Sequence, residues 1–157
     1  MKAASVKEIK TSLETLSPHE LISIGLRLAR FKKENKELLT YMLFEEQDEE
    51  SYISSVKMEI DSAFEQLNIK SVYIAKKNIR KIIRITSRFI KYSSKESTEA
   101  TLLIYVCKKI KSSGLDIKKS VALANIYTSL TKKIKNTIEV MHEDLQYDFN
   151  KELDSIE

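Results

Sequence analysis

Ser71-Val-Tyr-Ile-Ala-Lys-Lys-Asn-Ile-Arg-Lys-Ile-Ile-Arg-Ile-Thr-Ser-Arg-Phe-Ile-Lys-Tyr92 decides the fold class. With one residue placed every 100° from Val72, seven residues fall within an arc of about 100°. They are Val72, Ala75, Ile79, Ile82, Ile83, Thr86 and Ile90. Lys77, Arg80, Lys81, Arg84, Arg88 and Lys91 fall on the opposite side. This is an amphipathic helix with an apolar face and a cationic face. No strand-period segment elsewhere in the chain competes with the helical pattern.

The same punctuation recurs on either side of this stretch. Ser5 and Glu8 are spaced as a capping box that opens a helix carrying Val6, Ile9, Leu13 and Leu16. Ser17-Pro18-His19-Glu20 is a stronger start, with Pro18 at the first helical position. That helix runs to about Lys33, with Leu21, Ile24, Leu28 and Phe31 at helical spacing. Gly25 inside it costs about 1 kcal/mol relative to alanine, which predicts close helix packing there. Asn35 is expected to cap a third helix bearing Leu38, Leu39, Met42 and Leu43. Asp48 or Ser51 starts a fourth, striped by Tyr52, Val56, Ile60, Ala63, Phe64 and Leu67, with Asn68 as its stop.

Beyond the cationic helix, Ser93 to Ser97 reads as a polar linker. A sixth helix is expected from Thr98 to Ser113, ended by Gly114 with Leu115 making a Schellman contact. Its apolar run, Leu102 to Cys107, fits a buried helix. Asp116 is expected to cap the last helical region, which extends to about Leu153. Its stripe is Leu123, Tyr127, Leu130, Ile134, Ile138, Met141, Leu145 and Phe149. The segment contains no Pro or Gly, and a break near Asn136 stays open. Unbroken, it would span on the order of 50 Å and offer a dimerisation or partner surface. Tyr73-Ile-Ala-Lys-Lys77 echoes Tyr105-Val-Cys-Lys-Lys109, 32 residues later. One echo falls short of the three units that a repeat array needs.

Composition narrows the classes further. The chain has 157 residues, with two Gly, one Pro, one Cys and no Trp, which excludes collagen-like, disulfide-framed and turn-rich β architectures. With 42% hydrophobic and 32% charged residues, the chain can build a core and is not disordered throughout. No run of 18 apolar residues is present, so no membrane span is expected. The first ten residues lack the apolar segment of a secretory signal. Cys107 has no internal disulfide partner and sits among aliphatic neighbours, as a small buried hydrophobe. A cytoplasmic location follows by default.

Net charge is +4, but it is a cancellation. Residues 1–68 carry 9 basic and 13 acidic side chains, 69–138 carry 17 and 3, and 139–157 carry 1 and 7. The balances are −4, +14 and −6. Nine bases and no acid lie between Glu65 and Glu96. Arg80, Arg84 and Arg88, three of the five arginines, stack at i, i+4, i+8. A row at about 6 Å intervals suits a phosphate backbone, and guanidinium groups pair bidentately with phosphate. Tyr73 lies near the same face and can stack on a base. Like charges at this spacing repel, so the face calls for counter-charge, external or internal. The internal sources are Glu139, Glu143, Asp144, Asp148 and Glu152, or the acidic run from Glu45 to Glu50.

No catalytic or metal motif accompanies these features. Glu139 and His142 form one Glu-x-x-His pair, whereas di-iron bundles use two, and the other histidine is His19 in a first helical turn. There is no Gly-rich phosphate loop and no metal-spaced Cys/His cluster.

Leu28-Ala-Arg-Phe-Lys-Lys-Glu-Asn-Lys-Glu-Leu-Leu39 with Tyr41-Met-Leu-Phe44, and His142-Glu-Asp-Leu-Gln-Tyr-Asp-Phe149, resemble stretches of uncharacterised all-helical bacterial proteins of similar length. The resemblance implies a stand-alone cytoplasmic helical protein and carries no site.

The expectation is an all-α protein of six to seven helices, an irregular bundle or short helical-hairpin stack with a long C-terminal helix. It forms one domain, 1–157, with a subdivision at 1–68 and 69–157. The expected function is a non-catalytic interaction or scaffold protein that binds another macromolecule, a protein or a second copy, through the basic helix or the C-terminal helix. The alternative is nucleic-acid binding through Lys77, Arg80, Lys81, Arg84, Arg88 and Lys91. No enzyme activity, cofactor, metal, membrane or small-molecule ligand is indicated.

Overall fold

The structure, a computed structural model, describes residues 2–69 and 71–156. The all-α class holds, with eight α-helices and no strand among the described residues. In chain order they are α1 (Val6–Glu14), α2 (Pro18–Phe31), α3 (Lys33–Thr40), α4 (Glu49–Glu65), α5 (Val72–Ser93), α6 (Glu96–Ser112), α7 (Val121–Glu139) and α8 (Glu143–Asp154). A π-helical turn, Tyr41–Glu45, precedes α4 and a 3-10 turn, Ile117–Lys119, precedes α7. The chain divides into two compact units, Met1–Phe44 and Glu45–Glu157, so α4 belongs with the second.

In the first unit both capping boxes form. Ser5 Oγ accepts the Glu8 N–H while the Glu8 carboxylate accepts the Ser5 N–H at 2.7 Å. Ser17 and Glu20 repeat the arrangement, with Pro18 at the first helical position. Each box satisfies two orphan donors from partners three residues apart. Lys32 is extended (φ −144°, ψ 147°) and separates α2 from α3. Asn35 does not cap α3, because that helix has already begun at Lys33. Its side-chain amide donates to the Leu28 carbonyl at 2.9 Å and pins the end of α2 to the start of α3. The close packing expected at Gly25 is also absent, since a Cβ there would meet no heavy atom within 4 Å.

The second unit is built around α6, which packs against α4, α5, α7 and α8. Leu102, Leu103, Ile104, Val106 and Cys107 are all buried. A helix that is apolar on every side is stable only when surrounded. Tyr52, Val56 and Ile60 of α4, Ala75, Ile79, Ile82 and Ile90 of α5, and Leu123, Leu130, Ile134 and Ile138 of α7 close the core around it. Thr86 is buried in the same layer and donates to the Ile82 carbonyl at 3.0 Å, which removes the cost of burying its hydroxyl. Tyr127 donates to the Ile156 carbonyl at 2.6 Å, holding the end of the chain against α7.

In the second unit helix boundaries differ from expectation at four places. α4 ends at Glu65, before Asn68. The linker after α5 is only Ser94 and Lys95, because Ser94 takes the left-handed conformation (φ 55°) and turns the chain in one step. α7 begins at Val121, where Ser120 Oγ accepts the Leu123 N–H, so Asp116 is not its cap. The long C-terminal helix is not continuous. It breaks at residues 140–142 rather than near Asn136, where His142 Nδ1 accepts the Asp144 N–H at 3.4 Å and starts α8. α7 therefore has 19 residues and α8 has 12, and no helix of about 50 Å exists among the described residues. Gly114 stands at the end of α6 with φ 76°, as its position predicts, and the Leu115 N–H donates to Ser113 Oγ.

Candidate nucleic-acid interface

α5 is 22 residues long, roughly 33 Å. Its apolar face is held by α4 and α6. Two ties fix its C-terminal end. The Tyr52 hydroxyl donates to the Phe89 carbonyl at 2.8 Å. Glu49, in the first turn of α4, receives the hydroxyls of Ser93 and Thr98 and, at 2.7 Å, the ammonium of Lys95. With one face packed, the opposite face is left to solvent.

Lys77, Arg80, Lys81, Arg84 and Lys91 are exposed on that face. Among the described residues no carboxylate lies within 4.0 Å of any of their charged groups. Arg88 departs from the row. It is half-buried, and its guanidinium lies 5.4 Å from the centre of the Phe89 ring, which meets Tyr92 edge-on. The sequence groups Arg88 with the cationic row, whereas the fold gives it to the packed end of the helix.

Among the described residues the inter-helix ion pairs lie elsewhere, and Glu49 and Glu152 are the members of the two acidic blocks that take part in them. Glu152 of α8 takes Lys108 of α6 at 3.0 Å, Asp61 of α4 takes Lys109 at 2.7 Å, and Glu99 of α6 takes Lys133 of α7 at 2.6 Å. Asp48 caps α4 through the Ser51 N–H. α8 packs against α6 and α7. Glu59 shares a small groove with Lys81 between α4 and α5 but does not reach ion-pair distance.

The result is an open groove of about 700 Å³ lined by Tyr73, Lys76, Lys77, Asn78, Arg80, Lys81 and Arg84. All these side chains come from α5. The Tyr73 ring is exposed at one end, with the Lys76 ammonium 5.5 Å from its centre. Chemically the groove offers guanidinium forks, ammonium groups, one carboxamide and one aromatic face. These suit a row of phosphates beside an unstacked base.

Other polar clusters have structural work that local sequence does not announce. Tyr105 and Lys109 converge on Asp61, whose carboxyl is held below the usual range first by the Lys109 bond and then by Tyr105. Burial and then the Asp61 bond push the Tyr105 hydroxyl up to about 12. Burial pushes the Cys107 thiol up to about 12 as well, which keeps it protonated and unreactive. Only chain folding brings Asp61 to Tyr105, 44 residues away.

No protein-family model, curated protein or solved structure matches the chain. Among the described residues no helix is long and apolar enough to cross a membrane.

Proposed function

We propose that this is an interaction protein whose macromolecular partner is a nucleic acid, held by its phosphate backbone along α5. One observation carries this reading. Lys77, Arg80, Lys81, Arg84 and Lys91 form an exposed row that meets no carboxylate among the described residues, although the chain has acids in number. Repelling cations at i, i+4 weaken a helix by a few tenths of a kcal/mol per pair, and an outside anion that joins the row relieves that repulsion. The spacing of Arg80 and Arg84, about 6 Å along the axis, supports a chain of phosphates over a single compact anion. Tyr73 adds a stacking surface at the end of the row, which favours a strand with accessible bases.

Fluorescence anisotropy with labelled single-stranded and duplex oligonucleotides tests the reading. Four to five neutralised phosphates weaken binding on the order of 100-fold between 50 and 200 mM salt. Absence of binding at the lower salt rejects it.

A further inference from the structure

Beside the cationic row lies a second, smaller groove of about 240 Å³, between α4 and α5. Its two walls have the same helical spacing. Glu59, Ser62 and Gln66 come from α4, and Asn78, Lys81 and Ile85 from α5. Asn78 and Lys81 also line the larger groove, so the two adjoin within the second unit. The first unit carries eight bases against five acids, so it supplies no net counter-charge for the cationic row. The polar groups of the small groove have no partner inside the fold. None of the Glu59, Ser62, Gln66 and Asn78 side chains makes a hydrogen bond or ion pair among the described residues. A carboxylate repels phosphates, so on a phosphate-binding face it suits a hydrogen-bond donor of another kind.

We propose that this groove receives one guanine base of the bound strand. The inference rests on the phosphate reading of α5 and adds a base preference to it. The choice of base follows from donors and acceptors. An ionised carboxylate only accepts, through two oxygens. The pairing edge of guanine presents two adjacent donors, N1–H and the 2-amino group, next to the O6 acceptor. Glu59 can take both donors, and the Lys81 ammonium, on the facing helix, can donate to O6 or N7. Adenine and cytosine each set a ring-nitrogen acceptor next to their amino group, where it opposes the second carboxylate oxygen. Thymine and uracil offer a single N–H between two carbonyls. Asn78 and Gln66 each carry a donor and an acceptor for the remaining edge, and Ile85 offers apolar surface to the ring. The edge in question is open in a single strand and occupied in a duplex, in keeping with the exposed Tyr73 ring nearby.

Fluorescence anisotropy at low salt compares a labelled oligothymidylate with the same strand carrying one central guanine, inosine or adenine. The guanine strand is expected to bind at least about 10-fold more tightly than oligothymidylate, within the range of one bidentate contact. Inosine lacks the 2-amino group and should lose most of that gain, and adenine should show none. Glu59→Gln should remove the guanine preference and leave oligothymidylate binding unchanged or tighter, because Glu59 is exposed and unpaired among the described residues. Arg84→Gln should weaken every strand alike, as a phosphate contact does. Circular dichroism checks that both variants keep their helicity. Strands that bind with no preference for guanine overturn the proposal and leave the phosphate reading standing. A guanine preference that survives Glu59→Gln overturns it equally. Failure of every strand to bind at low salt rejects the phosphate reading and this proposal with it.

Discussion

The Tyr105 hydroxyl donates to both carboxylate oxygens of Asp61, at 2.7 and 2.8 Å, and so joins α6 to α4 across the core edge. Lys109 adds an ion pair to the same carboxylate at 2.7 Å. Because these partners hold the folded pKa of Asp61 below its unfolded value, the cluster stabilises the fold fully above about pH 4 and loses that contribution as pH falls through the folded value. Thermal melts should therefore fall on the acid side. Asp61→Asn should flatten that limb and cost roughly 0.5–1 kcal/mol at pH 7, a small amount because the carboxylate is partly exposed and screened. An unchanged acid limb in the variant would assign it to other carboxylates.

Removing the charge from the groove should not destabilise the protein. Arg80→Gln and Arg84→Gln together relieve an i, i+4 repulsion and break no ion pair among the described residues. The melting temperature should hold or rise, while each substitution lowers the salt slope of binding by about 0.7 on a single-stranded oligonucleotide and about 0.9 on a duplex. A drop in melting temperature would mean that the row has a structural counter-charge.

Leu103 is fully buried on the central helix, so Leu103→Ala leaves a cavity surrounded by several elements. The expected loss is about 3 kcal/mol in urea denaturation. Met58→Ala, at a 73% exposed site on α4, should stay within about 0.5 kcal/mol. Equal effects would contradict the placement of α6 at the centre.

Cys107 should resist thiol reagents while the protein is folded. Burial raises its pKa to about 12, so little thiolate exists at neutral pH and little surface is open to attack. Modification by an aromatic disulfide should be at least about 100-fold slower than for a free thiol and should accelerate in denaturant. Fast labelling of the native chain would show that α6 opens locally.

What the sequence discloses here is what lies within one helical turn. The Ser5–Glu8 and Ser17–Glu20 boxes, Asp48 at the start of α4 and the two faces of α5 all rest on neighbours three or four residues apart. The buried run of α6 is legible because a helix without a polar side has to be surrounded. Other features depend on distance along the chain. Glu49 finds partners 44 to 49 residues away, and Asp61 finds Tyr105 44 residues away, with no periodicity to mark either. The break before α8 escapes because it uses neither Gly nor Pro, only a histidine accepting a backbone N–H. Asn35 has the chemistry of a cap, but a lysine two residues earlier already opens the helix. At the cationic face the six positions are legible as a group, whereas Arg88 is separated from the others only by the aromatic packing of Phe89 and Tyr92.

The Glu49 contacts predict an order of events in folding. α5 and α6 are linked by two residues, so their hairpin closes a short loop at small entropic cost. Glu49 grips the corner of that hairpin from far upstream, and its contacts with Ser93, Lys95 and Thr98 need those three side chains to be already side by side. The expectation is that the carboxylate acts as a late fastener rather than as part of the nucleus. Glu49→Gln should leave the refolding rate nearly unchanged and speed unfolding, so its cost appears in how long the native state lasts.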